Sequence, residues 1–111
     1  MRNDFKQEIL DRVSKHLFKQ NERAVDEEGS CKYRLGNLKC AAGILISDCD
    51  YSPEMEMYLA RTLPYFPESG YSDDEIKLIS ELQSIHDMSS VSLWKFKLKE
   101  LAIKHDLVFE S

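Results

Sequence analysis

Apolar residues recur every four positions near the start of the chain, at Phe5, Ile9, Val13 and Leu17. Leu10 and Phe18 widen the stripe and charged residues fill the opposite face. That spacing predicts an amphipathic helix from Asp4 to Gln20, with Asn3 as its N-cap. The polar stretch NERAVDEEGS breaks the period and predicts a loop with one short turn. CKYRLGNLKCA follows, two short runs around a Gly-Asn signal, and predicts a two-stranded hairpin. A turn centred on Leu35 and Gly36 places Cys31 opposite Cys40; one centred on Gly36 and Asn37 places Tyr33 there. Cys40 to Ile46 is nearly all apolar and predicts a buried helical segment whose small residues allow close backbone approach. Ser52-Pro53-Glu54 reads as an N-cap, a proline at the first helical position and an acid in the first turn. A helix is expected from there to about Leu63, stopped by Pro64. PYFPESGY reads as a turn-rich connector. Ser72 with Glu75 three residues on is a capping box, opening a helix through Ile76, Ile79, Leu82 and Ile85 that ends at His86-Asp87. A last helix, capped by Ser90 or Ser92, runs through Leu93 or Trp94, Leu98, Leu101 and Ala102 to about His105, and Leu107-Val108-Phe109 follows as an apolar tail. The pattern predicts a mainly α (α+β) fold: one small domain over residues 1–111, with four to five helices and a short β-hairpin near residues 31–41.

Composition narrows the class. The chain has 111 residues, 42% hydrophobic and 32% charged, which is too apolar for a disordered tail and long enough for a single core. The longest unbroken apolar run is the seven residues from Cys40 to Ile46, so no membrane span is expected. The charged opening MRNDFKQEIL predicts no secretory signal, and hence a cytoplasmic setting. The net charge of −5 is unevenly placed. Between Asp48 and Asp87 stand ten acidic residues against two basic ones, Arg61 and Lys77. An acidic surface of this kind suits a protein partner with a basic surface and disfavours direct nucleic-acid binding, which needs clustered cations. Lys95, Lys97 and Lys99, which alternate with Phe96 and Leu98, read as the edge of a helix.

Three cysteines in such a chain are expected as free thiols packed like small hydrophobes, with no cofactor. Cys31, Cys40 and Cys49 lie nine residues apart, unlike the close pairs of a zinc knuckle. Two chemical alternatives remain open. Cys31, Cys40 and Cys49 with His86 or His105 make a Cys3His zinc set. Cys40, at the junction of a turn and a helix, with His86 as base and Asp87 as its orienter, makes a thiol-dependent enzyme; His105-Asp106 is a second such pair. Asp48-x-Asp50-x-Ser52 opens like a calcium loop, but Pro53 and Leu59 stand where that loop needs glycine and a bidentate Glu. Arg34 is expected to pair with Asp48 or Asp50 and pin the following loop.

The run CKYRLGNLKCAAGILISD followed by YSPEMEM resembles a family of small bacteriophage and prophage proteins. The resemblance rests on Cys31, Tyr33, Arg34, Gly36, Lys39, Cys40, Ala41, Gly43, Leu45 and Ile46. It continues through Tyr51, Pro53, Met55, Glu56, Leu82, Gln83, His86, Asp87, Trp94, Leu101 and Ala102, covering Cys31 to Leu107. Ser47-Asp48-Cys49-Asp50 departs from the pattern, which has a proline after the Leu-Ile pair. The resemblance implies a phage provenance and a host-cytoplasm setting, and brings no catalytic assignment.

The expected function is therefore a small non-enzymatic phage protein that binds a host or phage protein, as an inhibitor of a host defence or regulatory component. The expected contact residues are Asp48, Asp50, Tyr65, Phe66, Glu68, Tyr71, Asp73 and Asp74: aromatics in a Pro/Gly connector, rimmed by acids. Met55, Met57, Tyr58 and Leu59 read as core.

Overall fold

A computed structural model describes residues 2–28 and 31–109. The Gly29-Ser30 part of the predicted break lies outside the described residues, and Asn3, the expected N-cap, falls inside the first helix rather than before it. Helix α1 spans Arg2–Gln20. Its predicted stripe is its core face, with Ile9, Leu10, Val13 and Leu17 buried; Phe5 stays partly exposed. A two-stranded antiparallel hairpin follows, β1 at Arg34–Leu35 and β2 at Leu38–Lys39. Arg34 pairs with Lys39 and Leu35 with Leu38, so of the two registers the chain takes the one centred on Gly36-Asn37. Gly36 sits at φ 60°, a left-handed value that glycine reaches without steric penalty. Tyr33 accordingly stands opposite Cys40, whose N–H donates to the Tyr33 carbonyl at 3.2 Å.

The buried segment after the hairpin is a short 3-10 turn, Gly43–Leu45. A Cβ on Gly43 would lie 2.1 Å from the Tyr33 carbonyl oxygen, so the close backbone approach requires glycine here. The helix expected from Pro53 to Leu63 does not form. Two 3-10 turns, Pro53–Met57 and Ala60–Thr62, replace it, separated by extended backbone at Tyr58 (φ −113°, ψ 146°) and Leu59. Tertiary bonds override local propensity at this point. The Tyr33 hydroxyl donates to the Tyr58 carbonyl at 2.5 Å, removing an acceptor that helix continuation would use.

Pro64 then introduces a single helical turn, α2 at Tyr65–Glu68, inside the predicted connector. Helix α3 spans Asp73–Met88 and starts in the expected capping box: Ser72 accepts from the Glu75 N–H at 3.2 Å, and the Glu75 carboxylate accepts from the Ser72 N–H at 2.7 Å. A 3-10 turn at Val91–Leu93 leads into α4, Trp94–Lys104. Helix α3 is the hub, packing on α1, α2, α4 and the Ala60–Thr62 turn. Trp94, Phe66, Leu10, Leu17, Leu78, Ile79, Leu82 and Leu98 close the core, each fully buried large side chain contributing about 1.5–3 kcal/mol. A radius of gyration of 13.1 Å fits one folded domain of this length. Among the described residues no helix is long and apolar enough to cross a membrane.

Candidate functional site

Gln83, His86 and Asp87 fall three and four residues apart on α3 and share one face of it. That face holds the irregular chain between α1 and the hairpin. The Gln83 carbonyl oxygen accepts from the Ala42 N–H at 2.8 Å, and its amide donates to Asp87 Oδ1 at 2.8 Å. His86 is fully buried; its Nε2 accepts from the Ala24 N–H at 3.0 Å and its Nδ1 bonds Asp87 Oδ1 at 2.7 Å. The imidazole stacks on Trp94, with ring centroids 5.8 Å apart. Arg23 finishes the helix by donating to the His86 carbonyl at 3.1 Å and the Asp87 carbonyl at 2.5 Å, two acceptors that α3 itself leaves unpaired.

These bonds determine what the cluster can do. A backbone N–H donates only to an unprotonated ring nitrogen, so His86 Nε2 carries no proton and Nδ1–H is the donor to Asp87. Both nitrogens are committed. Cys31 is half-buried, with its sulfur 3.7 Å from Arg23 Nη2. Burial, then the negative charge of Asp87 and a hydrogen bond to it, push the Cys31 thiol above its ordinary range. Burial also pushes on Asp87, but hydrogen bonds from His86, Gln83 and Cys31 outweigh it and hold that carboxyl below its ordinary value. The order in space is thus histidine, carboxylate, cysteine, with the carboxylate between the other two. A nucleophilic thiol needs the base beside it, and here it faces an anion that disfavours thiolate.

The other cysteines stand apart from this cluster. Cys40, the predicted nucleophile, is fully buried, and burial pushes its thiol up to about 12, while its sulfur accepts from the Gly43 N–H at 3.2 Å. Cys49 is exposed on the loop after the hairpin. Among the described residues, the ligand atoms that gather within 4.8 Å of one another are those of Cys31, His86 and Asp87; the four-residue zinc set is not assembled. A metal at His86 would have to displace either the Ala24 N–H or the Nδ1 proton. His105 is also engaged, bonding Glu81 Oε1 at 2.6 Å.

The predicted contact surface is only partly a surface. Phe66 is fully buried, which corrects its reading as an anchor: the connector folds back, and Phe66 meets Tyr71 edge-on at 5.3 Å and Tyr65 at 5.5 Å. Tyr65 is half-buried and its hydroxyl donates to Asp50 at 3.0 Å; Tyr71 is half-buried and stacks on Phe5 at 5.4 Å. Asp48 is exposed and pairs with Arg34 at 2.6 Å and Lys39 at 3.5 Å, fulfilling the expected loop pin. Glu54, Glu68, Asp73 and Asp74 are exposed and join no ion pair among the described residues.

The apolar residues read as core supply the exposed feature instead. Met57 is 85% exposed, Leu59 65% and Tyr58 46%, three consecutive apolar side chains facing water. They are held from behind. The Glu56 carboxylate accepts from the N–H groups of Tyr33 (2.9 Å) and Arg34 (3.2 Å) and from the Tyr51 hydroxyl (2.7 Å). Tyr58 and Leu59 line a cavity of about 150 Å³ shared with Cys31, Tyr33, Glu56, Ala60, Gln83 and Asp87. Sequence carried a signal for this: Glu54 and Glu56 alternate with Met55 and Met57, a period of two that no helix sorts into one polar and one apolar face. Comparison with protein-family models, curated proteins and solved structures finds no match to this chain.

Proposed function

We propose that this protein is a non-enzymatic binding protein whose partner is a protein with a basic surface. The observation that carries the reading is the exposed Met57-Tyr58-Leu59 run, rigidly backed by Glu56 and Tyr33 and set within the acidic Asp48–Asp87 part of the chain. An apolar centre with a charged rim is the anatomy of a protein interface. Exposed Glu54, Glu68, Asp73 and Asp74 supply charge that speeds association with a basic partner. The sequence resemblance supports a phage setting, in which the partner is a host or phage protein and binding inhibits a host defence or regulatory component. The alternative, a zinc or thiol site on Cys31, Cys40 and His86, has less support, because His86 has no free nitrogen and Cys40 has no access to solvent.

The test is capture from bacterial lysate followed by direct titration of the purified partner. Leu59→Asp should abolish binding. A Glu54→Lys, Glu68→Lys, Asp73→Lys triple variant should weaken binding at least tenfold and flatten its salt dependence. Glu75 stays untouched, since its carboxylate closes the capping box. A partner that binds Leu59→Asp as tightly as the unmodified chain would remove this reading.

A further inference from the structure

The cavity beside the exposed run contains a carboxylate that the fold holds with neutral donors and no lysine or arginine. Asp87 has its carboxyl held below the ordinary range, and His86, its nearest titratable neighbour, donates as a neutral imidazole. Among the described residues no lysine or arginine comes within 4.0 Å of the Asp87 carboxylate. Arg23 binds the backbone carbonyls of His86 and Asp87 and the Cys31 sulfur instead, and Lys32, at the cavity wall, pairs with Asp26 at 3.8 Å. The Glu56 carboxylate lines the same cavity and accepts from the Tyr33 and Arg34 N–H groups and the Tyr51 hydroxyl, adding to the cavity's negative charge. A carboxylate kept ionised by neutral donors retains its full negative charge, and it attracts a cation most strongly where apolar walls exclude water.

Resting on the protein-binding reading above, we infer that this cavity receives one cationic side chain of the partner, lysine or arginine, with Asp87 as its counter-ion. Tyr33, Tyr58, Leu59 and Ala60 are the walls that would clasp its methylene stem. The volume, about 150 Å³, is below the roughly 300–1,000 Å³ of small-molecule sites and suits a single side chain. The arrangement joins two properties of an interface anchor: apolar contact area at Tyr58 and Leu59, and a partly desolvated charge pair beside it.

The experiment is an amide-resolved NMR titration of the full chain with Nα-acetyl-lysine methylamide, Nα-acetyl-arginine methylamide and the neutral isostere Nα-acetyl-norleucine methylamide. The cationic probes should shift the amides of Cys31, Ala60, Gln83 and Asp87, with the norleucine probe at least tenfold weaker; the stronger of the two cations identifies the anchor. Asp87→Asn keeps an acceptor for His86 and Gln83 while removing the charge, and should weaken both cations at least tenfold. Cys31→Leu, which fills the cavity and retains the charge, should exclude all three probes. Norleucine binding as well as lysine, a folded Asp87→Asn that keeps full cation affinity, or absence of shifts at these amides would each overturn the inference. Because the probes need no partner, these outcomes are independent of capture. A partner lost by Leu59→Asp but retained by Asp87→Asn would sink the cation pocket and leave the binding surface standing.

Discussion

His86→Phe isolates what the buried histidine does. Phenylalanine keeps a ring of similar size against Trp94 and removes both hydrogen bonds. The Ala24 N–H is then left buried without an acceptor, which costs about 1–3 kcal/mol, and the bond to ionised Asp87, worth about 1.5–3 kcal/mol, is lost. Asp87 retains the Gln83 amide, so the sum settles at about 3–5 kcal/mol. That is a large fraction of the 5–15 kcal/mol typical of a domain. With a urea m-value of about 1.5 kcal/mol/M, the unfolding midpoint should fall by about 2–3 M. Trp94 is the single tryptophan and packs on the mutated ring, so its fluorescence reports the transition directly. EDTA should leave the midpoint of the unmodified chain unchanged, since no ring nitrogen is free for a metal. A loss under about 1 kcal/mol, or a midpoint that drops on chelation, would refute the structural role.

Three further outcomes are expected. Thiol labelling monitored by mass spectrometry should modify exposed Cys49 first, Cys31 slowly and Cys40 only on unfolding; early labelling of Cys40 would contradict its burial. Gly43→Ala should destabilise by at least about 1–3 kcal/mol in urea, because its Cβ meets the Tyr33 carbonyl at 2.1 Å and backbone must move; an unchanged midpoint would refute the close approach. Stability should also fall in two steps with acid. Burial pulls His16 below its ordinary 6.5 despite its bond to the Lys39 carbonyl, so its contribution is complete above pH 6.5 and declines below it. Asp87, held below 3.8, contributes fully above that pH and loses its contribution as pH falls through the lower folded value. His16→Gln should shrink the first step, and a first step of unchanged size would refute the assignment.

Elements with their own periodicity and caps were legible: α1 from a four-residue stripe, α3 from Ser72 and Glu75, and α4 from Trp94, Leu98 and Leu101. The hairpin register was not decided by the pattern of β1 and β2, since Gly36 is a central turn residue in both alternatives and its positive φ suits either. The missing third helix had a sound local start at Ser52-Pro53, and what cancelled it came from afar, the Tyr33 hydroxyl on the Tyr58 carbonyl and the hairpin N–H groups on Glu56. The site followed the same logic. Cys31, His86 and Asp87 were legible as candidates because their chemistry is rare, but their order in space depends on a loop whose only link to α3 is tertiary. Phe66 and Leu59 exchanged roles for one reason: an aromatic beside prolines reads as exposed and a Met-Tyr-Leu run reads as buried, unless the fold of the intervening chain is known.

That loop also explains why several side chains of catalytic type are engaged in holding the fold. Between α1 and α2 little backbone is in helix or sheet, so its N–H and C=O groups need partners from side chains. Gln20 closes both groups of Lys39, Gln83 takes the Ala42 N–H, His86 the Ala24 N–H, Glu56 those of Tyr33 and Arg34, and Arg34 donates to the Ile46 carbonyl at 2.5 Å. Several residues that carry the sequence resemblance, among them Arg34, Glu56, Gln83 and His86, are therefore fastenings. Acid–base or metal chemistry at a histidine needs a free ring nitrogen, and both nitrogens of His86 are engaged by Ala24 and Asp87. What the fastenings leave over is a negative charge at Asp87 and the uncovered side chains of Met57, Tyr58 and Leu59. Asp87, Tyr58 and Leu59 line one cavity, with Met57 next to them in the chain, and a single cationic, apolar-stemmed contact would engage charge and apolar surface together.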